Sequence, residues 1–446
     1  MGGALLTDLY ELNMARSYLR RGMVGPATFS LFVRHLPENR GFLVAAGLED
    51  CLSFLEGFSF EEADLRYLRE VLGYDEETVE TFRGLRFTGD VWAVPEGRIV
   101  FAGEPLLEVT GPIAECQLVE TYLLNQVTFQ TTLATKGARC RLAARGRDLV
   151  DFAFRRTQGV EAGLQVARTS ALVGFVATSN VEAARRFGLR AAGTMAHSFI
   201  EAFPSEAEAF RAFARDFPDR ATFLVDTYDT LAGVHTAVRV VRELGLADRL
   251  GIRLDSGDLL ALSREARRIL DRAGLAHVRI FASGGLDEYA IDELVRAGAP
   301  IDAFGVGTRM GVSADVPYLD TVYKLVQFGD RPVMKLSPEK ATAPGPKQVF
   351  RRPGFAGDVV GLRDELPLEG TEPLLVRVMA GGRRVAPPDT LEAARARFEA
   401  DLAQLPEEAR DLHRPRAPRV ELSDRLRALR DRVAAELRGA LEEAGS

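Results

Sequence analysis

From Cys116 onward the chain repeats one texture: a short apolar run ends in glycine or polar residues and is followed by a stretch with helical periodicity. The runs are Leu149–Phe154, Leu189–Ala192, Thr222–Val225, Gly251–Leu254, Val278–Ala282 and Asp302–Phe304. The last four begin roughly 23 to 30 residues apart, the length of one strand, one helix and their connections. Six such units in series predict an α/β chain built as a parallel α/β barrel or a large doubly wound sheet. In both architectures ligands sit beyond the C-terminal ends of the strands. The polar signatures RRTQG, GTMAHS, Asp226, DSGD, SGG and GVGT all stand at that end of their runs.

The flanks read differently. An amphipathic helix is predicted from Thr7 to Arg21, with Thr7 as its N-cap and Gly22 as its stop. A strand at Thr28–Val33, charged helices between Glu61 and Phe87, and short antiparallel strands at Val91–Val94, Ile99–Phe101 and Leu106–Val109 make the first third α+β. A long helix, Gln117–Leu142, leads into the repeating part. Beyond Val322 the loop SPEKATAPGPKQ (337–348) carries proline, glycine and lysine in the manner of a functional loop. Pieces near Pro332–Leu336, Val349–Phe350 and Leu374–Val378 are expected to return to the N-terminal domain as strands, and Val420–Ala444 reads as a charged helix. The expected organisation is an N-terminal α+β domain (1–116), a catalytic α/β barrel (117–325), return strands with the basic loop (326–390) and a helical segment (391–446).

A formal net charge of −7 gives no general electrostatic reason to bind nucleic acid or an anionic membrane, so any anionic ligand must be met by a local cluster of cations. Cys51, Cys116 and Cys140 are odd in number and widely spaced, which fits neither a disulfide framework nor a metal-binding pair. They are read as reduced thiols in a cytoplasmic protein. The opening MGGALLTDLYELNM lacks a basic segment followed by a long apolar one, and no run approaches a membrane span.

Only five histidines occur in the chain, and His197 stands among Gly193, Thr194 and Ser198, where an apolar run ends. An imidazole there can act as base, ligand or nucleophile beside amides and hydroxyls suited to holding a phosphoryl group. The turn Arg253-Leu254-Asp255-Ser256-Gly257-Asp258 sets one cation and two carboxylates around a Ser-Gly turn, able to bind ribose hydroxyls or Mg²⁺ and to anchor a phosphate. Gly305, Gly307 and Thr308 are expected to cradle a terminal phosphate, with Ser283-Gly284-Gly285 as a second such nest one unit earlier. Phe152 with Arg155 or Arg156 could stack on a planar ring and pair with its carboxylate. Alternation along a strand leaves only one of the two arginines facing the site, and Arg155 is favoured.

Six of these segments, LLTDLYELNMA (5–15), DFAFRRTQG (151–159), GTMAHSF (193–199), RLDSGD (253–258), FGVGT (304–308) and KATAPGPKQVFR (340–351), resemble in content and order the motifs of the nicotinate phosphoribosyltransferase family. The resemblance implies a TIM-like barrel of the type II phosphoribosyltransferase kind, with an N-terminal α+β sandwich domain completed by C-terminal strands. It implies formation of nicotinate mononucleotide and pyrophosphate from nicotinate and phosphoribosyl pyrophosphate, a step of NAD salvage, with Mg²⁺ and with ATP as a coupling substrate. In this correspondence His197 is the phosphorylated group. Phe152 and Tyr10 of a neighbouring subunit sandwich the pyridine ring, so that the site is shared in a homodimer. Arg253 and Asp255 serve the substrate and ribose, Gly305, Gly307 and Thr308 the 5′-phosphate, and Lys340 and Lys347 pyrophosphate or the phosphates of ATP.

Elementary chemistry agrees. Loss of pyrophosphate leaves oxocarbenium character at the sugar, so the protein must chiefly position nucleophile and leaving group and neutralise charge. A phosphoryl group on His197 would need donors, for which Thr194, Ser198 and the loop lysines are candidates. Nicotinamide or quinolinate phosphoribosyltransferase activity stays open as an alternative. A barrel lyase or isomerase of sugar phosphates would need a Schiff-base lysine or an acid/base pair at a strand end, yet no lysine lies between Gly137 and Tyr323. A non-catalytic metabolite-binding protein would leave the histidine, the paired acids and the basic loop without a common purpose.

Overall fold

The computed structural model describes residues 3–245, 250–337 and 342–445. The chain forms two compact units, one of Met1–Thr132 with Tyr318–Ser446 and one of Leu133–Pro317.

In the first unit the helix Leu9–Arg20 has Asp8, not Thr7, at its N-cap, while the Thr7 hydroxyl turns inward to Glu11. A seven-stranded antiparallel sheet runs in the order Arg331–Pro332, Thr321–Phe328, Pro26–Val33, Pro105–Pro112, Asp90–Ala93, Val376–Ala380, Arg383–Arg384. Strands from both ends of the chain therefore share one sheet. A second sheet orders Glu372–Pro373, Lys347–Arg351, Asp358–Leu362 and Val420–Leu422, with its last pair parallel. The segment expected as one helix from Val420 thus begins as a strand, and the helix spans Asp424–Gly445. Similarly, the expected Gln117–Leu142 helix is two helices, Ile113–Leu118 and Glu120–Ala144.

The second unit is a six-stranded parallel sheet ordered Ala177–Thr178, Asp148–Asp151, Ala303–Val306, Arg279–Ala282, Gly251–Leu254, Thr222–Leu224. Neighbours follow chain order, and the last strand, Ala303–Val306, pairs with the first, Asp148–Asp151, a parallel half-barrel arrangement. These strands are apolar almost throughout because both faces are covered: Leu149, Phe223, Ile252, Leu254, Ile280, Phe304 and Val306 are all buried. The expected strand at Leu189–Ala192 is reduced to a single bridge between Thr178 and Ala191, and Ala177–Thr178, second in chain order, forms the edge of the sheet beside Asp148–Asp151.

After four of the strands an Asx side chain starts the following helix. Asn180 accepts from Ala183 N–H, Asp229 from Ala232, Asp258 from Leu260 and Ala261, and Asp287 from Ala290. Short connections capped in this way bring the strand ends to one rim of the unit. No helix among the described residues is long and apolar enough to cross a membrane.

Candidate active site

Arg253 is the third residue of the buried strand Gly251–Leu254, so its guanidinium reaches the C-terminal rim with little water around it. Its Nε donates to Ser283 Oγ at 2.7 Å, Nη1 to Thr194 Oγ1 at 3.0 Å and to the Met195 carbonyl at 3.4 Å, and Nη2 to Asp255 Oδ1 at 2.6 Å. These bonds occupy all but one of the five N–H donors of the group. Segments far apart in sequence are thereby tied to one cation.

Asp255 also accepts from Ser283 Oγ through Oδ1, and its Oδ2 lies 3.9 Å from His197 Nε2. Burial alone would raise the Asp255 pKa, but the Ser283 hydroxyl, the Arg253 guanidinium and His197 together hold it below its ordinary value. Asp226, at the end of the strand Thr222–Leu224, braces the same turn: its Oδ2 accepts from Asp255 N–H at 3.0 Å and from Ser256 Oγ at 2.6 Å. Its Oδ1 is buried without a hydrogen-bond partner among the described residues. Next to it, Thr227 Oγ1 lies 3.1 Å from His197 Nδ1. His197 itself opens the short helix His197–Glu201, with its side chain about 41% exposed.

Phe152 follows the strand Asp148–Asp151, its ring 5.5 Å from that of Phe281 and 5.4 Å from the Arg253 guanidinium carbon. Gly305 makes room for it, since a Cβ at Gly305 would fall 2.7 Å from Phe152 Cδ2 and 2.9 Å from Phe281 Cζ. Gly284, at φ +94°, leaves no room for a side chain either: a Cβ there would meet the Asp255 carbonyl oxygen at 1.9 Å. Phe152, Arg155, Arg156, Arg253, Asp255, Ser283, Gly284, Gly285, Gly305, Gly307 and Thr308 line one cavity of about 180 Å³.

With that convergence established, comparison with known proteins is specific. The model of the nicotinate phosphoribosyltransferase family matches residues 148–347, that of the family's N-terminal domain residues 5–128, and that of its C-terminal domain residues 346–430. The chain belongs to the nicotinate phosphoribosyltransferase family. A nicotinate phosphoribosyltransferase of Mycobacterium tuberculosis is 50% identical over 417 residues, covering 92% of this chain and 89% of that protein. The Bacillus subtilis nicotinate phosphoribosyltransferase is 44% identical over 378 residues, 81% of this chain and 76% of its own length. The crystal structure of human nicotinic acid phosphoribosyltransferase matches 96% of this chain and 99% of its own, with a TM-score of 0.85 and 32% identity.

The other residues expected at this site have the following surroundings within their own units. Lys347 has partners of its own. Its ammonium is buried in the first unit, 3.1 Å from Glu108 Oε1, and donates to the carbonyls of Ala343 and Gly345. Lys340 lies outside the described residues. Asp258 uses Oδ1 to cap the helix Leu259–Arg272 and does not line the cavity. Ser283 lines the cavity and spends its hydroxyl on Arg253 and Asp255, bracing the turn. Ser198 is exposed on the short helix, and Thr194 serves the site through Arg253. Tyr10 lies in the first unit, half exposed, on the helix Leu9–Arg20. Burial and the carboxylates Glu120 and Glu11 raise its pKa. Both Arg155 and Arg156 line the cavity: the strand stops at Asp151 and a 3₁₀ turn, Phe154–Arg156, follows, so strict alternation no longer applies.

Asp226, Thr227, Phe281 and Asp151 also build the site, though no motif in the sequence marks them. Asp226 had a signal, its place directly after an apolar run, but the contacts of Phe281 depend on neighbouring strands. Asp151 is fully buried and accepts from Thr178 Oγ1 at 2.7 Å and Ala153 N–H at 2.8 Å, which fixes the turn that presents Phe152. Burial lifts its pKa from 3.8 to about 6 despite those bonds. The carboxyl is thus protonated in the fold at pH values where the unfolded chain has already lost the proton. Its contribution to stability is full below about pH 4 and is lost as pH rises to 6. Compared with Asp151→Asn, the wild-type protein is expected to lose up to about 3 kcal/mol of stability across that window. Urea unfolding of both proteins between pH 4 and 7.5 checks this, and a difference that does not change with pH contradicts it.

Proposed function

We propose that this chain joins nicotinate to phosphoribosyl pyrophosphate, releasing nicotinate mononucleotide and pyrophosphate, and that ATP hydrolysis is coupled to the reaction through phosphorylation of His197. The observation that carries this reading is the cavity itself: an aromatic face, two arginines, an anionic Asp255 and glycine-rich turns converge at one rim. Phe152 offers its face to the pyridine ring, and Arg155 with Arg156 gives the carboxylate two guanidinium partners, each charge-assisted bond adding about 1.5–3 kcal/mol. That pairing favours nicotinate over its neutral amide. Thr308, at the start of the helix Thr308–Gly311, and the amides around Gly307 receive the 5′-phosphate.

As the bond between the anomeric carbon and pyrophosphate lengthens, positive charge grows on the sugar. The Asp255 carboxylate, held ionised by Arg253 and Ser283, stands where it can stabilise that charge and bind ribose hydroxyls. Mg²⁺ fits the donor set. Among the described residues Asp226 keeps a buried carboxylate oxygen unpartnered and Asp255 Oδ2 accepts no hydrogen bond, while Mg²⁺ typically takes one or two carboxylates with substrate phosphates and water. Asp226 and Asp255 would hold the ion, which when bound supplies positive charge to the departing pyrophosphate.

The finer architecture belongs to the same proposal. Wrapped strand order, with the gap between 177–178 and 222–224 where Ala191 already bridges to Thr178, fits a TIM-like barrel. The seven- and four-stranded sheets of the first unit fit a sandwich completed by C-terminal strands. We place the enzyme in the cytoplasm, in keeping with three buried free thiols, and as a homodimer in which Tyr10 of one copy covers the pyridine site of the other.

Product analysis with nicotinate, nicotinamide and quinolinate in parallel, with Mg²⁺ and with or without ATP, tests the assignment. Nicotinate mononucleotide is expected to dominate and to form faster with ATP; preference for either other substrate overturns it. His197→Ala is expected to abolish the ATP stimulation, and stimulation that survives contradicts the coupling role. Mixed dimers of Tyr10→Ala and His197→Ala chains are expected to recover part of the ATP-stimulated activity, because one of the two sites then has both residues. Absence of recovery in a verified mixed dimer excludes the shared geometry.

A further inference from the structure

We infer that Lys136 is a positioning residue for the phosphoribosyl substrate: its buried ammonium, together with the Arg309–Asp287 pair, fixes the separation of two turns that line the cavity. The inference rests on the reading that Gly307 and Thr308 receive the 5′-phosphate while Asp255 meets the ribose, and deepens it. The turn Ser283–Gly285, which braces Asp255, follows the strand Arg279–Ala282, and Gly307–Thr308 follows the neighbouring strand Ala303–Val306. The pairing of these two strands ends at Ala282 and Phe304, short of both turns. Side chains tie the turns together beyond that point.

One tie is internal. Lys136 Nζ, on the helix Glu120–Ala144, lies 2.5 Å from Glu288 Oε2 and 2.6 Å from Asp315 Oδ1. Glu288 opens the helix after the first turn and is also anchored by Arg139 Nε at 2.9 Å. Asp315 follows the helix Thr308–Gly311, and bonds from Val312 N–H to the Thr308 carbonyl and from Ala314 N–H to the Arg309 carbonyl carry its position back to the second turn. The other tie is nearer the surface: Arg309 Nη1 donates to Asp287 Oδ2 at 2.9 Å, while Oδ1 of that carboxylate accepts from Ala290 N–H and caps the helix Glu288–Arg296. Three cations thus meet three carboxylates across the two loops. A buried ion pair adds little to stability over apolar packing, yet breaking one leaves an uncompensated charge, so it holds a single arrangement. The first turn has no slack to compensate, because Gly284 already lies against the Asp255 carbonyl. Donors serve a phosphate and a ribose on one substrate only when their spacing is held to about 0.5 Å. Lys136 and Arg309 stand outside the set of residues that line the cavity, so both act through the turns.

KM for phosphoribosyl pyrophosphate and KM for nicotinate are measured on wild type, Lys136→Met, Arg309→Ala, Arg309→Lys and Asp287→Asn, with urea unfolding as the check on folding. Asparagine keeps the helix cap and removes the charge. Lys136→Met is expected to raise KM for phosphoribosyl pyrophosphate about tenfold, the effect of one bond to a charged group. Arg309→Ala and Asp287→Asn are expected to raise it about threefold each, as for an exposed ion pair, and together no more than either alone, while Arg309→Lys restores it. KM for nicotinate is expected to stay within twofold throughout, which a general loosening of the fold would not allow. An unchanged KM for phosphoribosyl pyrophosphate in Lys136→Met, or equal rises for both substrates, overturns this inference and leaves the proposed reaction standing. Where Lys136→Met does not unfold cooperatively, the same two results in Arg309→Ala overturn it. A wild-type protein that forms no mononucleotide overturns both.

Discussion

A buried guanidinium must have its donors satisfied, and in this protein that requirement organises the rim of the parallel sheet. Arg253 sits on a strand with both faces covered, and every bond that satisfies it comes from a residue at a strand end or in the segment before His197. Ser283, Thr194, Met195 and Asp255 could not all turn away from the cation without leaving it exposed to the apolar interior. The shape of the cavity follows from this. Asp255 is held as an anion, its second oxygen is left facing His197, and the Phe152 ring lies against the same guanidinium.

Glycines complete the geometry by subtraction. Gly305 and Gly284 were expected as phosphate-binding turns, and both do line the cavity. Their closest neighbours supply a further reason for them: one admits the Phe152 ring and the other lets the strand end pass the Asp255 carbonyl. A residue type chosen for one physical property, absence of a side chain, can thus serve packing and recognition together.

Much of the parallel unit was legible in the sequence, since a buried parallel strand is a continuous apolar run and its C-terminal end is marked by polar residues; Gly251–Leu254 was placed without error. Legibility failed where pairing or long-range charge decides. Leu189–Ala192 stands where the repeating pattern calls for a strand yet forms a single bridge, while the two-residue strand Ala177–Thr178 is too short to signal itself. Lys347 looked like a loop cation because sequence shows no burial; in the fold it neutralises Glu108, whose other partner is Arg363. Asp258 looked like a ligand because its helix-capping role depends on where the helix begins. Asp226 and Thr227 were passed over because neither residue type signals by itself, and their meaning comes from Asp255 and His197 beside them.

Calorimetric titration of phosphoribosyl pyrophosphate into wild type and Arg253→Lys tests most directly whether the network around Arg253 grips the phosphoribosyl substrate, since lysine keeps the charge but cannot reproduce the planar set of bonds. Kd is expected to rise about ten- to a hundredfold in a variant that still unfolds cooperatively, as follows from about 1.5–3 kcal/mol for bonds to a charged group. A Kd within twofold of the wild-type value would contradict it.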